Sequence, residues 1–176
     1  HLACMALEIK KGDIVWTVPN TFVASANCGL YCGAKVDFVD IDNETYNINI
    51  DKLAKKLELA KKKSNLPRAL IPVHFAGQPT EQDKIWKLSK KYKFKIIEDA
   101  SHSLGAVYKN EKVGSCRWSD LTIFSFHPVK MITTGEGGMV LTNSSKLSAK
   151  IEMLRNSGIT RNQKLMKKQN QGSWYY

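Results

Sequence analysis

Apolar and polar positions along this chain alternate between two periods. IVWTVP (14–19), KVDFVDI (35–41), ALIPVHF (69–75), KIIEDA (95–100), LTIFSF (121–126) and GMVLTN (138–143) are short, nearly continuous apolar runs. Runs of that length read as buried strands. Helical patterns lie between them. IDKLAKKLELAKKK (50–63) and TEQDKIWKLSKKY (80–92) repeat apolar residues every three or four positions and put lysines on the opposite face. Thr21 is placed to cap a helix reaching about Gly33, Asp51 and Thr80 to cap the next two, and SSKLSAKIEMLRNSG (144–158) closes on Gly158. VYKNEKVG (107–114) has turn residues at its centre and reads as a small hairpin, and HLACMALEIKKGD (1–13) as the last turns of a helix.

Strand and helix in alternation, with strands apolar on both faces, predict an α/β fold: a mostly parallel sheet with helices on both faces. In such sheets ligands sit beyond the carboxyl ends of the strands. The residues at those ends are Pro19 to Phe22, Asp40 and Asp42, His74, Glu98 and Asp99, and Ser125 to Lys130. Strand alternation sends Glu98 and Asp99 to opposite faces, and Phe124 and Phe126 away from Ser125. His74 either faces the crevice or packs beside it.

Charge changes this picture little. The chain of 176 residues carries a formal charge of +11, from 27 basic and 16 acidic residues. The lysines fall on the outer faces of the helical patterns and arginines are few, which reads as a solvated surface with no nucleic-acid partner. A basic nucleic-acid-binding module would instead show steeply salt-dependent binding. No run approaches the ~20 apolar residues of a membrane span. The N-terminus has no signal-peptide layout, and four cysteines without a second ligand pair near Cys28 and Cys32 fit a reduced, cytoplasmic protein with small core thiols.

One stretch carries chemistry. In FSFHPVKMITTGEGG (124–138) a strand ends at Pro128, Lys130 follows, and Gly135, Gly137 and Gly138 permit a tight turn. A lysine held there, with a carboxylate at the neighbouring strand end, is what pyridoxal phosphate needs. The lysine forms a Schiff base with it, and the carboxylate keeps its ring nitrogen protonated.

EDASHSLGA (98–106), SDLTIFSF (119–126), HPVKMITTGEGG (127–138) and LRNSGITR (154–161), in this order, resemble the DegT/DnrJ/EryC1/StrS family. PNTFVASANCGLYCGAKVDFVDID (19–42) and VHFAGQP (73–79) are similar to its other blocks. These are pyridoxal-phosphate-dependent sugar aminotransferases of the fold-type I class. The resemblance implies Lys130 as the catalytic, cofactor-bearing lysine. It implies Asp99 on the pyridine nitrogen, His102 near the phenolic oxygen, Ser125 on the phosphate and Phe22 stacked on the ring. Lysine at this position, where the family's dehydratases carry histidine, favours transamination.

The HPVK and EDASH variants are most similar to the branch of pseudaminic acid biosynthesis that serves cell-surface or flagellin glycans. That branch aminates C4 of a UDP-linked 4-keto-6-deoxy-N-acetylhexosamine with glutamate as donor. The family also implies a homodimer with shared active sites. Residues 1–176 then read as a partial large domain, with an N-terminal phosphate-binding segment and a C-terminal small domain outside it, and as inactive alone. The alternatives are an aminotransferase for another nucleotide-linked keto sugar, or a non-catalytic sugar- or effector-binding protein on the same fold.

Overall fold

The computed structural model describes residues 1–160 together with residues 162 and 165. Among these the elements run α1 (Leu2–Ala6), β1 (Ile14–Thr17), α2 (Ala24–Tyr31), β2 (Lys35–Phe38), α3 (Ile50–Lys62), β3 (Ala69–Leu70), α4 (Gln82–Tyr92), β4 (Lys95–Asp99), β5 (Val107–Tyr108), β6 (Glu111–Lys112), β7 (Leu121–Ser125), β8 (Gly138–Leu141) and α5 (Ser145–Arg155). One sheet has the order β2-β1-β3-β4-β7-β8. Its strands are parallel except β8, which lies antiparallel to β7. The order reverses direction between β1 and β3, and the ends of those strands and of β4 and β7 open onto one edge.

Alternation along the strands builds two core layers. Trp16, Leu70 and Ile96 face Leu53 and Leu57 of α3 and Ile85 and Tyr92 of α4. Val15, Ala69, Ile71, Ile97 and Leu121 face the other way, against Cys4 of α1 and Cys28 of α2, with Leu147 and Ile151 of α5 at the margin. Cys4 and Cys28 are thus small core residues. Among the described residues no group of three or more His, Cys, Asp or Glu side chains can hold a metal, and no helix is long and apolar enough to cross a membrane.

Several local expectations give way to tertiary partners. The run 69–75 forms a ladder only at Ala69–Leu70. Pro72 has no N–H to donate, and beyond it a single bridge, Val73 to Asp99, continues the pairing. A short 3-10 turn, Phe75–Gly77, follows, with Gly77 at φ +90°. A Cβ there would stand 2.8 Å from the His102 carbonyl oxygen, so glycine is what lets this turn rest on the one after β4.

Caps differ as well. Asn49, not Asp51, caps α3 by accepting from the Lys52 N–H at 2.9 Å. Neither Thr21 nor Thr80 caps a helix. α2 begins after Val23 and α4 after Glu81, both without a side-chain cap. The Thr21 hydroxyl meets Ser25, and Thr80 gives its N–H to the His74 ring. Ser144 does cap α5, accepting from the Leu147 N–H. The β5–β6 hairpin turns through Lys109 and Asn110, both at positive φ, as two-residue hairpins require. Arg161 of the LRNSGITR motif and most of the polar tail 159–176 lie outside the described residues.

Candidate active site

Lys130 is held by its turn. Its N–H donates to the His127 carbonyl at 2.9 Å, closing a turn with Pro128 at the second position, where a fixed φ is favourable. The following loop folds back on the end of β7: Phe126 donates to Gly137 O at 2.9 Å and accepts from the Thr134 N–H at 3.0 Å. Gly135 has φ +76°, and a Cβ on Gly137 would stand 2.2 Å from the Thr134 hydroxyl oxygen. The glycines therefore serve the turn, as expected. Lys130 Nζ lies 2.8 Å from His102 Nε2. Ala76, Ser101, His102, Val129, Lys130 and Met131 line a cavity of about 240 Å³.

Asp99 ends β4 beside it. Its register partner on β7 is Ile123, so Asp99, Ile123 and Ser125 share a face. Ser25 of α2 donates to Oδ2 at 2.6 Å, and the Ser101 N–H to Oδ1 at 3.2 Å. No cationic side chain pairs with Asp99 among the described residues. That is notable in so basic a chain, where Asp37, Asp40, Asp83 and Asp120 each hold a lysine. A part-buried carboxylate with neutral donors only is a place for a cation, and a protonated pyridine supplies one. Ser125 Oγ accepts a long bond from the His127 N–H, 3.4 Å. Phe22 stands 78% exposed beyond β1, with its ring free for a ligand. The residues thus fit pyridoxal phosphate: an amine for its carbonyl, a carboxylate for its nitrogen, a hydroxyl at the next strand end, and an open aromatic face.

The structure brings Lys130 onto His102 and places Asp99 and Ser125 on one face of neighbouring strands. It joins Lys130 to Asp99 by no ion pair, and it attaches Phe22 to neither. His74 does not enter the cavity. It is fully buried, its Nδ1 accepts from the Thr80 N–H at 3.1 Å, and its Nε2 faces the Gln82 amide at 3.1 Å. Sequence reasoning missed Ser25, Ser101 and Ala76. The four-residue spacing of Thr21 and Ser25 at a strand exit was the available signal for the first of these.

Two buried groups near the site, Glu98 and His74, give stability opposite responses to pH. Burial pushes the Glu98 carboxyl up to about 7, with the hydroxyls of Thr122 (2.7 Å) and Ser119 opposing it. The native state then holds a proton the unfolded chain has lost, so this stabilisation is present below about 4.5 and lost as pH rises through 7. Burial lowers His74 from 6.5 to about 4, with Asp99 opposing, so its contribution runs the other way and falls as pH drops through that interval. Glu98→Gln keeps an acceptor for Thr122 and removes the ionisation. The variant is expected to be more stable than wild type by up to roughly 3 kcal/mol at pH 8, and no more stable at pH 4.5. Urea unfolding at both pH values checks this, and equal stability at pH 8 would refute it.

A mostly parallel sheet with helices on both faces has the fold of the fold-type I pyridoxal-phosphate proteins, and the lysine turn and the carboxylate at neighbouring strand ends fit that class. The family model of DegT/DnrJ/EryC1/StrS aminotransferases matches residues 1–175. The chain belongs to that family, whose cofactor is pyridoxal phosphate. It is 46% identical over 176 residues, all of this chain, to protein MJ1066 of Methanocaldococcus jannaschii, covering 43% of that protein. It is 49% identical over 161 residues to the UDP-4-amino-4,6-dideoxy-N-acetyl-beta-L-altrosamine transaminase of Campylobacter jejuni, 92% of this chain and 41% of the relative. The solved aminotransferase PseC of Helicobacter pylori, involved in the biosynthesis of pseudoaminic acid, superposes with a TM-score of 0.78 at 34% identity, over 90% of this chain and 43% of that one. The chain thus spans about two fifths of the length of the relatives it matches.

Proposed function

We propose that this chain is the cofactor-binding, large-domain part of an aminotransferase that moves an amino group from glutamate to C4 of a UDP-linked 4-keto-6-deoxy-N-acetylhexosamine. The observation that carries the reading is Lys130 Nζ, in a cavity with His102, following β7 where the neighbouring strand β4 ends in a carboxylate that no cationic side chain among the described residues neutralises. Bound pyridoxal phosphate supplies a carbonyl that takes up the donor's amine and a ring that accepts electron density. Lys130 would be the base that takes the proton from the donor's α-carbon and, in the second half of the transfer, the acid that delivers one to C4 of the sugar. Asp99 holds the ring nitrogen protonated, so that negative charge developing at the reacting carbon is drawn away from it. His102 orients Lys130 and the cofactor's phenolic oxygen, Ser125 holds phosphate, and Phe22 covers the ring face.

The choice of sugar is supported by the Campylobacter and Helicobacter relatives, both named for 4-amino sugars or pseudaminic acid chemistry. We take the complete protein to be a cytoplasmic homodimer. Val129 and Met131 stand exposed on the cavity wall, Phe22 and Ile132 are exposed as well, and a second copy would cover them. The flanking segments of the longer protein would supply the remaining phosphate ligands and the small domain.

Steady-state kinetics test the reading. Glutamate and the keto sugar should give parallel double-reciprocal lines, because the donor's keto acid leaves before the sugar enters. Intersecting lines contradict it. A panel of UDP-, GDP- and dTDP-linked keto sugars decides the substrate: turnover confined to another nucleotide sugar keeps the aminotransferase and discards the pseudaminic assignment.

A further inference from the structure

The second oxygen of Asp99 belongs to a hydroxyl relay. Ser25 Oγ is 2.6 Å from Asp99 Oδ2, and Thr21 Oγ1 is 2.9 Å from Ser25 Oγ. An ionised carboxylate only accepts, so Ser25 donates to Asp99, and with its one proton so committed it accepts from Thr21. The chain therefore has one direction: Thr21 to Ser25 to Asp99. Ser25 is 5% exposed, in the first turn of α2, and bonds a residue 74 positions away.

Val23 at its N-cap leaves α2 without a side-chain cap, while the nearby Thr21 hydroxyl bonds Ser25, and Ser25 bonds Asp99. Local stability is forgone where it is usually sought, and the beneficiary is the Asp99 carboxylate.

We propose that Ser25, backed by Thr21, is the positioning residue of the Asp99–pyridine pair. Resting on the cofactor reading above, the relay fixes the carboxylate rotamer and leaves the remaining lone pairs for the ring N–H. Each link polarises the next, so the Thr21 hydroxyl strengthens the Ser25 bond it does not itself make.

The test is cofactor affinity, measured on the complete apoprotein with pyridoxal phosphate and with its analogue carrying C–H in place of the ring nitrogen. Ser25→Ala is expected to weaken binding of pyridoxal phosphate about 10-fold or more, as loss of a hydrogen bond to a charged group should. Ser25→Thr restores it to within about 3-fold, and Thr21→Val weakens it in the same direction by a smaller factor. For the analogue, which cannot form the pair, Ser25→Ala should cost less than about 2-fold. An equal loss for both ligands means that Ser25 only supports the backbone and overturns the proposal, as does unchanged affinity for pyridoxal phosphate. Should Ser25→Ala fail to fold, the Thr21→Val comparison across the two ligands decides by the same criterion. A wild-type protein that binds neither ligand overturns the cofactor reading itself. Wild-type binding with no difference among the variants overturns only the relay.

Discussion

Lys130→Ala is expected to lower the transamination rate of the complete protein by a factor on the order of 10⁴ or more, while leaving the fold intact. The two halves of this expectation come from different observations. The loss follows because no second amine lines the cavity among the described residues, its other lining being Ala76, Ser101, His102, Val129 and Met131. The intact fold follows because, among the described residues, the Lys130 side chain makes one polar contact, to His102, while the turn is closed by backbone bonds the substitution keeps. Stability should change by less than about 0.5 kcal/mol. The visible absorption of the lysine-bound cofactor should vanish with the amine. A small primary amine added to the solution should recover part of the rate, because it replaces a missing base and not a collapsed site. Activity within tenfold of wild type would remove Lys130 from the mechanism.

The alternation of apolar strands and amphipathic helices was legible because both signals are local. Leu53 and Leu57 of α3 are buried while Lys52, Lys55 and Lys61 stay in water, and that division is written in their spacing. The strand-end rule likewise picks out Asp99, Ser125 and Lys130 without a structure. Misses arise where the partner is far along the chain. Thr21 and Thr80 look like caps from their neighbours alone, but one hydroxyl turns toward Ser25 and one N–H is taken by His74. ALIPVHF reads as a full strand until Pro72 interrupts it. Ser25 could not be assigned to Asp99 from sequence, because their meeting depends on the strand order β2-β1-β3-β4, which places α2 over the edge where β4 ends.

The same geometry makes Asp99→Asn the most informative substitution after Lys130. Asparagine keeps the size of the side chain and an oxygen for the Ser25 hydroxyl at 2.6 Å. It removes the charge, and an amide cannot hold a pyridine nitrogen protonated. The rate should fall about 10³-fold, in the range seen when a preorganised electrostatic partner is removed from a developing charge. The direction in stability is opposite. Asp99 is a part-buried carboxylate without a cationic partner among the described residues, so its neutralisation should leave the apoprotein no less stable than wild type. Loss of activity with stability retained or raised is therefore the signature of a carboxylate kept for a ligand. If Asp99→Asn instead lowers apoprotein stability by more than about 2 kcal/mol, the carboxylate holds the strand end together through Ser25 and Ser101, and its role toward the cofactor is secondary. Thermal melts of the apoprotein beside rates of the donor half-reaction separate these two outcomes.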